Sequence, residues 1–302
     1  MVRLPWNRDL REKYAPLPAT FVDRYDPTKL IEVDQYPAEY FRLEIIKKRV
    51  ALVGGTRLLD IGAGSGIPIV ELARQQNTRD AVAFDYTPEM VEYAKMQFAA
   101  TGLDPKHVFE GDARLADPYM RANTYGLFDV ALMLGLFHHI EDQAECLRRI
   151  HGLLNPGGRV FIAFRNKLFS LFTMNSFTHA LVMSDLLQDI SPDIRNIVDE
   201  EFQRRLRMDQ PKLTELDAYS EASYELIHAR KHNPLEMEAW FRAVGYSEIR
   251  LHFFHCHPGP PYLEGEAVSR KRYREAAIAM EGEEIGWRGY FMCSGFLVEA
   301  VA

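Results

Sequence analysis

The chain has 302 residues, 47% of them apolar, and a net charge of −7. That length holds one large α/β domain with additions around its own core, and the acidic balance gives no general pull on a polyanion, which argues against nucleic acid as a partner. Cys146, Cys256 and Cys293 lie far apart without a CxxC pair, no stretch reaches the roughly 18 apolar residues of a membrane span, and MVRLPWNRDLREKY lacks a signal-like apolar run; the expectation is a soluble cytoplasmic protein without disulfide framework, cysteine-rich zinc site or membrane anchor.

In chain order, the first fifty residues carry Tyr25, Tyr36 and Tyr40 and the helix-like run EYFRLEIIKKRVALV, which predicts an N-terminal helical extension over 1–50. Residues 51–165 alternate short apolar strands with amphipathic helices, the pattern of parallel βαβ units. Strands are expected at 57–61, 81–84, 107–110, 128–133 and 159–164, with helices near 67–76, 88–101 and 141–154. Thr87-Pro88 caps and opens one helix, and Asn155-Pro156-Gly157-Gly158 stops another and turns into a strand. Over 166–232 the rhythm breaks into helical spacing without a clear strand, which predicts an inserted helical lid. The α/β pattern resumes over 233–302, with a helix at 234–244, a turn at Gly245-Tyr246, a strand at 247–255, a helix at 266–281 and a last strand at 290–301.

The most telling stretch is RLLDIGAGSG, Arg57 to Gly66, where an apolar strand runs into three glycines spaced by two. Such glycines let main-chain N–H groups approach a ligand without Cβ interference, and the helix that follows aims its N-terminus at the same place. No Lys-Ser/Thr follows Gly66 as a P-loop requires, and Ile67 takes the last glycine position of the dinucleotide fingerprint, so the ligand need not be a phosphate. Acids stand at successive strand ends: Asp60 on the first, Asp85 on the second, Asp112 after the third in Glu110-Gly111-Asp112-Ala113. Asp85 follows the glycines by about twenty residues, where a carboxylate accepts both hydroxyls of an unphosphorylated ribose. The Asp112 turn suits an exocyclic amine such as adenine N6, and the fourth strand emerges at His138-His139. Singly these residues also read as turn chemistry, a loop acid and a helix cap. In this order within one α/β run they converge on an adenosyl ligand.

LLDIGAGSG, VAFDYTPEM, EGDA, FDVALMLGLFHHIED and LLNPGGRVFIAF resemble the successive motifs of class I S-adenosylmethionine-dependent methyltransferases, over roughly 55–165. The resemblance implies a doubly wound, Rossmann-like seven-stranded sheet ordered 3-2-1-4-5-7-6 with strand 7 antiparallel. It implies S-adenosylmethionine as cofactor, with Asp60, Gly62 and Gly64 lining the methionine part and Asp60 holding a water or the amino group. Asp85 would hold the ribose, Tyr86 flank the adenine, Asp112 and Ala113 contact its edge, and Leu134 offer its carbonyl. The lid and tail resemble small-molecule members of the family.

LGLFHHIED replaces the Asn/Asp-Pro-Pro-Tyr type of motif used on exocyclic base amines, and no Pro-Cys nucleophile suits pyrimidine C5, so DNA base methylation is not expected. The expected function is methyl transfer to an oxygen, or a nitrogen, of a small molecule by in-line displacement. The protein then has to position, desolvate and, for a hydroxyl, remove a proton. A neutral histidine suits that last task. His138, His139, His255 and His257 are the candidates, the last two sharing one strand face by alternation, with His179 of the lid a further one. His252, His255 and His257 cannot all face one way on a regular strand, and no metal is expected. Phe169, Leu171, Phe172, Met174, Phe177 and Leu181 wall an acceptor pocket or form plain helix core, and Arg165, Arg230 and Lys231 border the lid. The alternatives are methylation of RNA or a protein, and a non-catalytic cofactor-binding scaffold.

Overall fold

Strand β1 (Arg57–Ile61) buries four of its five residues, because it lies mid-sheet with a parallel neighbour on each side. The structure is a computed structural model that describes residues 23–31, 36–53, 57–208, 230–281 and 285–302. Around β1 the chain alternates α2 (Ile67–Gln76), β2 (Asp80–Asp85), α3 (Pro88–Thr101), β3 (Val108–Glu110), α4 (Asp117–Asn123), β4 (Phe128–Met133), α5 (Gln143–His151) and β5 (Leu154–Asn166), preceded by α1 (Ala38–Val53). After a largely helical stretch with α6 (Ser176–Leu181) and α7 (Pro192–Arg205) come β6 (Lys231–His232), α8 (Met237–Val244), β7 (Ser247–Cys256), α9 (Arg270–Glu281), α10 (Gly289–Met292) and β8 (Cys293–Val301).

The sheet runs β3-β2-β1-β4-β5-β8-β7, with β6 paired to β5 off that path. This is the expected seven-strand order, the two-residue β6 having shifted the last two labels. Strands β1 to β5 pair in parallel. Main-chain bonds from Gly157 to Ala302 and from His257 to Met292 run β8 antiparallel to both its neighbours. The parallel strands are near-continuously apolar because helices cover both faces. Phe84, Phe128, Phe161 and Phe296 are wholly buried, each stabilising the fold by roughly 1.5 to 3 kcal/mol.

Several boundaries differ from the sequence-based expectation. Strand β5 begins at Leu154, so Asn155-Pro156-Gly157-Gly158 lies inside it. The reason is pairing: Gly157 N–H donates to the Ala302 carbonyl, and Ala302 N–H to that of Gly158. Thr87 occupies the N-cap position of α3 but its hydroxyl makes no cap; its N–H instead donates to Asp85 Oδ1 at 2.9 Å. Helix α4, too short to show a period, was not expected, and the helix awaited from 266 begins at Arg270. The last strand starts at Cys293 because Gly289–Met292 forms a helical turn.

The chain divides into two compact units. The first comprises the described residues of Met1–Phe164, Leu235–His252 and Phe296–Ala302, the second those of Arg165–Pro234 and Phe253–Gly295. In the second unit, β6 pairs with the Arg165-Asn166 end of β5, a strand within the stretch expected to be helical. Asn175 caps α6 by accepting from Phe177 N–H at 3.0 Å, and His179 Nε2 meets Asp199 Oδ1 of α7 at 2.6 Å. Residues 209–229 of the expected lid, and 1–22 and 32–35 of the expected N-terminal extension, lie outside the described residues. Among the described residues no helix is long and apolar enough to cross a membrane.

Candidate functional site

The site is built at the carboxyl ends of β1, β2 and β4, all in the first unit. Asp60 is 1% exposed, and neither of its carboxylate oxygens has a hydrogen-bond partner. Burial, and the Asp85 carboxylate nearby, push its pKa up to about 7, against the pull of the Arg42 guanidinium. An unsatisfied buried acceptor costs about 1 to 3 kcal/mol, more when charged. A side chain kept in that condition marks a place where a donor arrives with a ligand.

Beyond Asp60 the chain turns through Gly62 and Gly64 with φ of +73° and +51°. A Cβ at Gly62 would stand 2.5 Å from Leu136 Cδ2, so that position is closed by packing from the loop after β4. Gly64 is different: nothing lies within 4 Å of where its Cβ would be. Its backbone therefore faces open space beside an unpartnered acid, the cradle an adenosyl cofactor needs, and the residues present fit that group.

Asp85 is engaged on both oxygens, Oδ2 accepting from Gly64 N–H at 2.9 Å and Oδ1 from Thr87 N–H at 2.9 Å. Burial raises its pKa while these bonds oppose the rise. The Thr87 side chain and the Tyr86 backbone also bond Asp85, which thus braces the glycine loop and holds its own turn. Asp112 is gripped by Arg114, whose Nη2 lies 2.6 Å from Oδ2 and whose Nε lies 2.8 Å from Oδ1. The Arg114 guanidinium also stands 5.5 Å from the centre of the Tyr86 ring. Ala113 is buried, and its carbonyl accepts from the Tyr119 hydroxyl at 2.9 Å. Half-buried Leu134 opens the loop after β4.

Three residues that spacing did not single out belong here. Arg42 of α1 pulls on Asp60 and hydrogen-bonds the Tyr25 hydroxyl, and its Nη1 lies 3.9 Å from the Cβ position of Gly135 in the loop after β4. Burial drives Tyr25 up to about 12, against the pull of Arg42. Arg114 is the third. The helix-like run around Arg42 was visible in the sequence, but nothing in it pointed to Asp60.

His138 and His139 form a turn of 3-10 helix directly after this loop, both nearly buried, with rings 4.0 Å apart. Gln143 Nε2 donates to the Phe137 carbonyl at 3.0 Å and ties the turn to α5. His255 and His257 lie in the second unit. Their rings stack at 4.6 Å, but His255 has a φ of +58°, so the pair arises from a local break and not from regular strand alternation. The His257 ring is buried against Phe169, with the Tyr273 hydroxyl 3.5 Å from Nδ1. Burial, with His255 beside it, holds its pKa well below the ordinary imidazole value. His252 and Glu299, both in the first unit, meet at 2.9 Å. Burial lowers His232 to about 4. Among the described residues no three His, Cys, Asp or Glu side chains group as metal ligands.

A family profile described as "Methyltransferase domain" matches residues 59–160, the span of β1 through most of β5. The ubiquinone biosynthesis O-methyltransferase of Xylella fastidiosa (strain M23) is 28% identical over 163 residues, 54% of this chain and 61% of that protein. The protein of the same name from Xanthomonas euvesicatoria pv. vesicatoria is 27% identical over 54% of this chain and 63% of its own length. The matched part therefore takes up less than two thirds of these curated relatives. A solved structure described as "Complex between the Haloferax volcanii Trm112 methyltransferase activator and the putative methyltransferase" shares the fold with a TM-score of 0.52 at 15% identity, covering 100% of this chain and 99% of the matched one.

Proposed function

We propose that this chain, which belongs through residues 59–160 to the class I S-adenosylmethionine-dependent methyltransferases, transfers a methyl group from that cofactor to an oxygen of a small-molecule acceptor. The observation that carries the reading is the buried, unpartnered Asp60 carboxylate beside the bare backbone of Gly64. When bound, the cofactor supplies a sulfonium methyl group whose leaving group is already activated. Asp60 then receives a donor from the methionine part, the Gly62 to Gly64 backbone lies against it, and Arg42 offers a cation beside the same strand end. Asp85 would exchange part of its present bonding for the ribose hydroxyls, and Tyr86, Asp112, Ala113 and Leu134 would border the base. Oxygen is preferred as acceptor atom because the two curated relatives are named O-methyltransferases.

Removing the acceptor's proton falls to the buried pair His138 and His139 that follows the β4 loop. A neutral imidazole at this position takes a hydroxyl proton as the methyl group arrives. The helical stretch of the second unit is proposed as a lid.

Transfer of isotopic label from the cofactor to hydroxylated small molecules tests the reading. The wild type should label such an acceptor. His138→Ala or His139→Ala should lower kcat by about 10²- to 10⁴-fold with cofactor affinity unchanged. Label appearing in an RNA or protein fraction, or no transfer to any acceptor despite retained cofactor binding, would overturn it.

A further inference from the structure

In the second unit, the end of β7 and the start of β8 bring two thiols together. His257 N–H donates to the Met292 carbonyl at 2.8 Å, just beyond the end of β7 and just before the start of β8. One step inward, Cys256 ends β7 and Cys293 opens β8, side by side in the sheet, and neighbouring antiparallel strands bring opposed Cα atoms to about 4.5 to 5.5 Å. That spacing lies within the roughly 4.4 to 6.8 Å that a disulfide spans. Two observations agree with this placement. Cys256 N–H turns away from β8 and donates to Glu281 Oε1 at 2.7 Å. The two Sγ atoms lie 3.0 Å apart, closer than the ~3.5 to 4.0 Å of ordinary heavy-atom contact.

We propose that Cys256 and Cys293 form a modification site, a cross-strand dithiol that closes to a disulfide on meeting a low-molecular-weight disulfide. One cysteine, its proton lost to solvent, attacks a sulfur of the reagent and expels the first small thiolate. The second, likewise deprotonated, attacks the mixed disulfide and expels the other. The two protein thiols give up two electrons and two protons, and the reagent's S–S bond is reduced to two thiols.

Both cysteines are buried, and a buried thiol stays protonated and inert while the sheet is closed. Among the described residues β7 is the last strand of the sheet, paired with β8 alone, and such an element opens at lower free energy than the central strands. Reaction therefore passes through local opening of β7. Closure would join residues 37 positions apart and fix the backbone at Cys256, which lies in sequence between His255 and His257.

The test uses the full purified chain and oxidised glutathione, in native buffer and in urea below the unfolding transition, followed by alkylation under denaturing conditions and mass analysis. The reduced chain should show three alkylatable thiols and the oxidised chain one. A peptide linking Cys256 to Cys293 should appear, sooner in urea, and Tm should rise by about 5 °C and fall back with reductant. Cys256→Ala and Cys293→Ala should each abolish the link. Three free thiols after prolonged exposure in urea, a stable glutathione adduct on either cysteine, or a link that involves Cys146 would overturn the proposal.

Discussion

Gly62 and Gly64 sit two residues apart in the same loop, both with positive φ, yet they face different surroundings. Gly62→Ala must displace Leu136 as well as adopt a left-handed backbone, so a large drop in Tm is expected. Gly64→Ala pays only the left-handed penalty of about 1 to 2 kcal/mol, because open space surrounds it. It should remain folded and bind S-adenosylmethionine at least tenfold more weakly, as read by thermal melts beside calorimetry. A Gly64 variant that binds as well as the wild type would mean the loop only packs a helix. Asp60 makes a second prediction at this scale. Its pKa of about 7 lies above the ordinary carboxyl value, so its contribution to the stability of the free chain is present near pH 4 and lost as pH rises through 7. A cationic donor arriving with the cofactor favours the carboxylate, so binding at pH 6.5 should release protons. Calorimetry in buffers of different ionisation enthalpy should detect this in the wild type and not in Asp60→Asn.

The elements that hold these residues were legible to different degrees. β1, α2 and α3 follow from local signals: an apolar run, a glycine turn, a proline at the first helical position. The acid at each strand end could be read for the same reason, since strand and turn are contiguous. Arg42 and Arg114 could not, because they act on Asp60 and Tyr86 from other elements, and a sequence does not display what α1 packs against. The Cys256 and Cys293 pairing was hidden likewise, its members lying on strands joined only through the sheet. Glu299 on β8 is a further case. It is wholly buried, with Arg49 Nε at 2.6 Å and His252 Nε2 at 2.9 Å, and Arg159 also bonds it. Burial pushes this carboxyl up, but the bonds from His252 and Arg49 outweigh it and hold the pKa at about 2. A carboxyl lowered in this way stabilises the fold above the ordinary glutamate range and loses that contribution as pH falls toward 2. Glu299→Gln should cost about 3 kcal/mol at neutral pH, because it leaves Arg49 and Arg159 beside a neutral group, and the difference from wild type should shrink in melts taken at low pH.

For the whole molecule, the βαβ alternation was readable because strands and helices each carry local signals, whereas the order of the sheet followed only from the family resemblance, since crossover handedness by itself leaves several orders open. The stretch between β5 and β7 was less readable. α6 has six residues and β6 two, too few to display a period. The acidic net charge bears on function at this scale, since it offers a polyanionic acceptor no general attraction and leaves specificity to the site. The central claim is that the acids and the glycine backbone at neighbouring strand ends hold one adenosyl ligand. Calorimetric titration of the full chain with S-adenosylhomocysteine, the demethylated product, tests it most directly. One site should be seen, weakened about 10- to 100-fold in a folded Asp85→Ala variant, which loses the charged acceptor for ribose hydroxyls. Absence of binding by the wild type, or equal binding by Asp85→Ala, would contradict the account.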